Sequence, residues 1–330
     1  MTPPRLAITM GDPAGIGPEI VAGALAGPDL GATIRVIGDE ARLRDAAQRV
    51  GVALAIQVVS DVDESIRDGA VAVHQIGELP ADLPYGQVSA AAGAASFAYL
   101  EHAIALARAG HVDAIVTAPI HKEAWHLAGI DYPDHTETLA HLTGAPRHAM
   151  MLATDELRTV LVTTHVSLAK ALTLITTDRV LKAIELAHEE MRAQGIRNPR
   201  VAVAGVNPHA GEGGMFGDEE ITAIAPAVDA ARAKGIDATG PHPPDTVFMR
   251  ARAGEFDIVI AQYHDQGLIP VKLLGIDDGV NATLGLPFVR TSVDHGTAFD
   301  IAGKGVASPK SLRYAAASAI RFVRSRHHTT

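Results

Sequence analysis

The chain contains no cysteine among its 330 residues, and it has only one tryptophan and five tyrosines. Without cysteine, neither a disulfide nor a thiolate metal ligand is available. A basic excess is also missing, because the net charge is −10, whereas a nucleic-acid binder usually presents a basic face. No apolar run approaches the roughly 20 residues that cross a bilayer, and the start MTPPRLAITMGDPAG lacks the apolar core of a signal peptide. We therefore expect a cytoplasmic protein that binds neither membrane nor nucleic acid.

What the chain does contain is globular in composition, with 47% hydrophobic and 20% charged residues. Short apolar runs alternate with longer stretches that have helical apolar spacing. Strands that alternate with helices predict an α/β fold with a mostly parallel core sheet. The clearest predicted strands are the runs 5–9, 113–118, 158–164, 200–206, 256–262 and 288–293.

Histidines follow several of these predicted strands, at the point where each strand ends. His165, His209 and His264 come just after three separate runs. The carboxyl ends of strands line the ligand crevice in open α/β sheets. A single histidine in a loop is more often solvated than a ligand, but the repetition across strands favours a site. Three imidazoles with an open position are typical of a catalytic divalent metal, with zinc about 2.1 Å from each nitrogen, although imidazole also suits Co, Ni or Fe.

Two glycine-rich segments invite a functional interpretation. The segment MGDPAGIGPE (10–19) could turn backbone N–H groups toward an anion, and a purely structural turn explains it equally well. It matches neither the dinucleotide fingerprint nor a Walker A loop. The segment NPHAGEGGMFGDEE (207–220) has more glycine than a routine connection needs, which favours a close backbone approach to a ligand.

Other polar groups fit the recognition of a phosphate or a carboxylate. His135 and Thr136 offer an imidazole and a hydroxyl side by side. The alternative interpretation makes Thr136 the N-cap of a helix over 137–143, which leaves His135 unexplained. Arg290 suits bidentate recognition of an anion, Lys272 offers a point charge, and Asn281 adds an amide.

Taken together, these motifs resemble the 4-hydroxythreonine-4-phosphate dehydrogenase (PdxA) family from about residue 5 to residue 320. The resemblance implies two α/β/α domains like those of isocitrate and isopropylmalate dehydrogenases, with the active site in the cleft between them. We place the first domain at 1–133 and 294–330 and the second at 134–293. The resemblance also implies a homodimer whose partner subunit completes the site. The motifs are GDPAGIGPE, VTAPIHK, HTE, TTH, NPHAGEGG, YHDQG and GVNATLGLPFVRTSVDHGTA.

The resemblance further implies the cofactors and the role of each matched residue. The cofactors are NAD or NADP, bound without a Rossmann fingerprint, and one divalent metal, either Zn, Mg or Co. The substrate is oxidised at its C3 hydroxyl, and the resulting β-keto acid then loses CO₂. Lys272 is also a candidate catalytic residue, and Asp245 and Asp265 are the candidates for the base or for residues that orient a ligand. The implied metal ligands are His165, His209 and His264, and the implied substrate contacts are His135, Thr136, Lys272, Asn281 and Arg290.

Several functions stay open at this level. The segments GDEE, GPHPPDTVF, IPVKLLG and AFDIAG resemble a branch that acts on 4-phospho-D-threonate or 4-phospho-D-erythronate more than the vitamin B6 branch. A third relative oxidises cis-dihydrodiol carboxylates such as the one from terephthalate. A non-catalytic binding protein and a metal-dependent hydrolase belong to other functional classes. The motif set favours a phosphorylated four-carbon hydroxy acid, from either of the first two branches, over the dihydrodiol, the binding-protein and the hydrolase alternatives.

Overall fold

A computed structural model describes residues 2–62, 64–275 and 279–327. Strands and helices alternate along the described chain, which confirms the predicted α/β fold. The strands are β1 (Arg5–Thr9), β2 (Thr33–Gly38), β3 (Ala55–Val59), β4 (Ala70–Gln75), β5 (Ala114–Thr117), β6 (Ala149–Ala153), β7 (Arg158–Leu161), β8 (Val201–Ala204), β9 (Ala238–His242), β10 (Ile258–Ala261), β11 (Val280–Leu284) and β12 (Val289–Ser292). The α-helices are α1 (Gly17–Leu25), α2 (Glu40–Arg49), α3 (Ala90–Arg108), α4 (Lys122–Leu127), α5 (His135–Thr143), α6 (Leu168–Leu174), α7 (Thr177–Ala193), α8 (Ala225–Ala233), α9 (Val247–Arg252), α10 (His264–Lys272) and α11 (Lys310–His327).

The chain divides into two compact units. The first unit holds the chain up to Pro146 together with Leu286–Arg324. The second unit holds Arg147–Gly285 and the residues from Ser325 onwards. The domain boundaries at 133/134 and 293/294 stay a prediction, and the last three residues of the predicted first domain lie outside the described part of the chain.

The first unit contains a parallel sheet in the order β3-β4-β2-β1-β5-β12. All four residues of β5 are buried, as expected for a parallel strand that is covered on both faces. β1 lies in the middle of this sheet, with β2 on one side and β5 on the other. Because β1, β5 and β12 are parallel, their carboxyl ends meet at one edge, where ligands bind in such sheets.

The second unit contains strands in the order β11-β6-β7-β10-β8-β9. β7, β10, β8 and β9 are parallel, whereas β6 pairs antiparallel with both β7 and β11. The expectation of a mostly parallel sheet is therefore confirmed. The two antiparallel pairings were not foreseen, because a short apolar run carries no information about strand direction.

Local capping explains where several helices begin. Ser89 and Thr176 accept a backbone N–H at the starts of α3 and α7. At the start of α5 the cap is Asp134, whose carboxylate accepts the N–H groups of Thr136 and Glu137. The interpretation of Thr136 as the N-cap is therefore wrong. A carboxylate two residues earlier already satisfies these N–H groups, which leaves the Thr136 side chain available for another contact.

One helix, α3, is long and apolar enough by length and composition to cross a membrane. Half of that segment is buried inside the protein, where α3 packs against β1, β2 and β5. This burial is the pattern of a core helix in an α/β unit.

Candidate active site

His165 and His264 lie close together at the carboxyl edge of the second unit's sheet. The strands that precede them, β7 and β10, are parallel neighbours, so the following residues emerge side by side. The centroids of the two rings are 5.5 Å apart. Two imidazoles that bind one metal tetrahedrally, each through a nitrogen at about 2.1 Å, have centroids about 5 Å apart. The pair therefore has the spacing of two ligands of one metal ion.

Asp265 orients one ring of this pair. Its Oδ1 lies 2.7 Å from Nδ1 of His264, so that Nδ1 carries the proton and Nε2 is the nitrogen that can bind a metal. Asp265 itself is 72% exposed. Of the two roles that the sequence leaves open for Asp265, this contact favours the orienting one over that of the base.

His209 lies in a turn with an uncommon backbone. Six consecutive residues, from His209 to Gly214, have positive φ, and His209 itself has φ 54°. Each left-handed residue other than glycine costs about 1–2 kcal/mol, so such a run persists only where its surroundings hold it. Within the described residues, no three His, Asp or Glu side chains form a group that could hold a metal ion. The spacing of His165 and His264 fits two ligands of one metal ion, whereas the set of three histidines stays a prediction.

A cavity of about 270 Å³ opens beside the histidine pair, within the second unit. Its walls combine two hydroxyl-bearing threonines and a tyrosine with apolar groups from the start of α6. The cavity is large enough for a few ligand atoms next to the two rings. The lining residues are Thr163, Thr164, His165, Val166, Leu168, Ala171, Tyr263, His264 and Asp265.

The remaining predicted residues of the second unit are dispersed. Lys272 ends α10, so it lies eight residues, or about 12 Å along the axis, from His264. Asn281 lies on β11, and its buried Oδ1 has no hydrogen-bond partner among the described residues. Asp245 is exposed just before α9. The structure thus brings two of the predicted histidines together, but it does not bring Lys272 beside them.

In the first unit, Arg290 and His135 form a site suited to an anion. The Arg290 side chain is almost fully buried, at 3% exposure, and its Nη2 donates to Thr117 Oγ1 at 2.7 Å. Burial lowers the pKa of Arg290 to about 10, with Asp134 opposing part of that shift, so the guanidinium stays charged at neutral pH. A buried cation of this kind favours an anionic partner.

The imidazole of His135 stays neutral beside this cation. Desolvation, followed by the charge of Arg290, lowers the pKa of His135 to about 3. The ring meets the Trp125 indole edge-on, with centroids 5.7 Å apart, which fixes its place at the start of α5. A neutral imidazole can donate one hydrogen bond to a phosphate oxygen without adding a second buried charge. Thr136 follows directly, as the sequence predicts.

The predicted site residues leave out two groups at the same edge of the first unit, Asp12 and His121. Asp12 is fully buried after β1, and desolvation raises its pKa to about 6. Neither its Oδ2 nor Nδ1 of His121, which follows β5, has a hydrogen-bond partner among the described residues. Their positions just past strand ends were the available signal. A buried carboxylate also disfavours an anion in the glycine turn that carries Asp12, which weakens one of the two interpretations of that turn.

Comparison with known proteins decides the family. The model of the family described as "Pyridoxal phosphate biosynthetic protein PdxA" matches residues 31–319. This protein belongs to the PdxA family. The PdxA membership confirms the resemblance that the motifs predict.

Individual PdxA relatives match almost the whole chain. A protein of Beijerinckia indica named 4-hydroxythreonine-4-phosphate dehydrogenase is 58% identical over 94% of this chain and 92% of its own length. A protein of Cupriavidus necator named D-threonate 4-phosphate dehydrogenase is 50% identical, over 94% of each chain. The predicted class, an oxidoreductase that acts on a CH–OH group, is confirmed by these dehydrogenases.

Solved structures rank the alternatives inside the family. A 4-hydroxythreonine-4-phosphate dehydrogenase of Klebsiella pneumoniae is 48% identical, with a TM-score of 0.90 over 97% of this chain and 98% of that one. A terephthalate 1,2-cis-dihydrodiol dehydrogenase of Burkholderia xenovorans is 35% identical, with a TM-score of 0.66 over 93% and 94%. The dihydrodiol alternative is therefore not favoured.

Proposed function

We propose that this PdxA-family protein is an NAD(P)-dependent dehydrogenase of a phosphorylated four-carbon hydroxy acid. The reaction oxidises the C3 hydroxyl to a ketone, with hydride passing to the nicotinamide and a proton to a base, and the β-keto acid then releases CO₂. The family supports the dehydrogenase. The buried Arg290 beside the neutral His135 is the observation that carries the choice of a phosphorylated substrate, because this pair offers a fixed charge and a donor to an anion.

The described residues supply binding and orientation for this reaction. Arg290 would neutralise the phosphate, and His135 and Thr136 would donate to its oxygens. Lys272 and Asn281 are proposed as further contacts, and the open Oδ1 of Asn281 is available to accept from a substrate hydroxyl or amine. Asp265 would hold His264 with Nε2 free. The identity of the base stays a proposal, with the exposed Asp245 as the candidate, because no contact among the described residues gives its side chain another role.

His165, His209 and His264 are the proposed ligands of one divalent metal, Zn, Mg or Co. When bound there, such a metal supplies the Lewis acidity that lowers the pKa of a substrate hydroxyl. The spacing of His165 and His264 supports two of the three positions. The carboxylate partner of His264 supports the same assignment, because ligating histidines commonly donate their other nitrogen to a carboxylate.

We further propose a homodimer in which a second copy completes this site. Several large apolar side chains in the segments that carry or follow the three histidines are exposed, whereas monomers rarely expose large apolar patches. A second copy of the chain would cover them and could bring its own His209 to the pair. The exposed side chains are Val166, Leu168, Leu172, Met215, Phe216, Ile269 and Leu273. The cytoplasmic location remains a prediction.

Three substrates are proposed within this class. Relatives with both names, 4-hydroxythreonine-4-phosphate and D-threonate 4-phosphate dehydrogenase, match the chain closely. Assays of NADH or NADPH formation with 4-hydroxy-L-threonine 4-phosphate, 4-phospho-D-threonate and 4-phospho-D-erythronate would separate them. A parallel assay with a cis-dihydrodiol carboxylate serves as the control. Turnover of the dihydrodiol alone would refute the proposed substrate class.

A further inference from the structure

The turn that carries His209 is built around one buried carboxylate. We propose that Glu220 is a positioning residue for His209: its carboxylate holds the turn after β8 in the left-handed conformation that presents the imidazole. This inference rests on the proposed metal site. It adds a residue that lies outside the predicted ligand and substrate sets. Glu220 begins a π-helical turn, Glu220–Ile224, that leads into α8.

The carboxylate of Glu220 collects three hydrogen bonds from the start of the turn. Its Oε1 accepts the backbone N–H groups of Val206 at 2.7 Å and Asn207 at 2.8 Å. Its Oε2 accepts the Asn207 side-chain amide at 2.9 Å. The residue is only 2% exposed. Although burial alone would raise the pKa of Glu220, the bonds from Asn207 and Val206 lower it overall, so the ionised form is the one that fits.

The backbone of the turn closes tightly around this carboxylate. A Cβ at Gly211, where φ is +81°, would lie 2.8 Å from Glu220 Oε2. A Cβ at Gly205 would lie 3.0 Å from Glu220 Oε1. These two glycines therefore allow the chain to pass against the carboxylate on both sides. At these two positions, glycine allows the backbone to approach the internal carboxylate of Glu220 rather than an external ligand.

Among the described residues, the turn is also closed by backbone hydrogen bonds from Ala210 N–H to Asn207 O at 3.1 Å and from Phe216 N–H to Gly211 O at 3.1 Å. His209 is exposed, and no hydrogen bond within the described part of the chain orients its ring. Its nearest aromatic neighbour, Phe216, is itself 47% exposed, with ring centroids 6.3 Å apart. The direction of the imidazole is therefore set by the backbone at His209, and that backbone depends on the anchor at Glu220. Neighbouring Glu219 makes only a single bond, from Asn207 Nδ2 at 2.6 Å.

The test compares zinc affinity in full-length variants. Glu220→Gln keeps the shape of the side chain but removes its charge and places an amide donor against the Asn207 donor. Glu212→Gln is the matched control, because it removes the same charge from an exposed side chain in the same turn. Zinc dissociation constants are measured by competition with a chelator, and the visible spectrum of the cobalt-loaded protein reports the ligand geometry. Thermal unfolding of the metal-free proteins reports folding.

We expect Glu220→Gln to raise the zinc dissociation constant about 10- to 100-fold and to alter the cobalt spectrum, as removal of a group that orients a ligand does. Glu212→Gln should match the wild type. A Glu220→Gln protein with wild-type zinc affinity and cobalt spectrum would overturn the inference, even if its melting temperature falls, because the carboxylate would then be only structural.

His209→Ala separates this inference from the proposed function. Loss of zinc in His209→Ala with unchanged affinity in Glu220→Gln refutes the role of Glu220 and leaves the metal site in place. Unchanged zinc affinity in His209→Ala refutes the metal site and, with it, the role of Glu220. If Glu220→Gln fails to fold, Glu220→Asp replaces it. A zinc dissociation constant above the wild-type value, with an altered cobalt spectrum, supports the positioning role, and wild-type values overturn it.

Discussion

Replacement of Arg290 tests the anion site most directly. Arg290→Met removes a buried charge with little change in length, and Arg290→Lys keeps a charge without the planar fork. A hydrogen bond to a charged group contributes about 1.5–3 kcal/mol, and about 1.4 kcal/mol corresponds to a factor of ten. We therefore expect Arg290→Met to raise KM for the phosphorylated substrate about 10- to 100-fold, with a smaller effect on kcat because the phosphate takes part in neither the hydride transfer from C3 nor the decarboxylation.

The assay is the initial rate of NAD(P)H formation with the phosphorylated substrate and with its dephosphorylated counterpart. The loss should be confined to the phosphorylated compound, and Arg290→Lys should recover part of it. Arg108→Met is the control, because Arg108 is an exposed arginine on α3. Equal losses on both compounds, or a KM within about twofold of the wild type, would refute the assignment of Arg290 to the phosphate.

The same variant has a separate effect on stability. Thr117 is fully buried, and its Oγ1 accepts a hydrogen bond from the Arg290 guanidinium. Loss of that donor leaves a buried hydroxyl with one partner fewer, which costs about 1–3 kcal/mol. Urea unfolding of the metal-free protein measures this term, so that a binding defect can be distinguished from a folding defect.

Four further outcomes follow from the described contacts. His209→Ala should lose bound zinc and nearly all activity by metal analysis and NAD(P)H assay, and full retention of both would remove it from the site. A mixed dimer of His165→Ala and His209→Ala subunits should regain part of the activity that each parent lacks, because one of its two shared sites is intact; no recovery in purified mixed dimers would contradict ligands from two subunits. Asp265→Asn should weaken zinc binding about 10- to 100-fold, since His264 loses its carboxylate partner, and unchanged zinc affinity would contradict the orienting role. Burial, with smaller contributions from His102 and Arg35, lowers the pKa of His74 to about 4 from 6.5. The stability that neutral His74 contributes is thus complete above pH 6.5 and falls as the pH drops toward 4, by about 2 kcal/mol at pH 5. If the unfolding free energy of His74→Gln had the same slope against pH as that of the wild type, this contribution of His74 would be contradicted.

The α/β class and the edge where the functional groups lie could be predicted from the sequence. Apolar runs of strand length, separated by amphipathic stretches, are a local property of the chain. The strands β5, β7, β8, β10 and β12 all lie inside runs that the pattern predicts. Because the carboxyl ends of parallel strands share an edge, the residues that follow them could be assigned to that edge without knowledge of the strand order.

Only the tertiary structure decided which of these residues meet. His165 and His264 are far apart in sequence, and they become neighbours because β7 pairs with β10. Strand pairing is a long-range property, and no local pattern around either histidine encodes it. Burial of Asp12 and the low pKa of His135 likewise arise from packing, since desolvation depends on atoms contributed by distant segments.

The glycine loop after β8 shows both sides of this division. The sequence by itself determined that the chain there must take backbone conformations that favour glycine, and it placed His209 among them. It did not determine what the loop approaches. The structure shows that the loop closes on Glu220, which begins the helical turn after the loop. A carboxylate at such a start favours the helix dipole wherever it points, whereas its role toward the loop depends on the hydrogen bonds that the fold brings within reach.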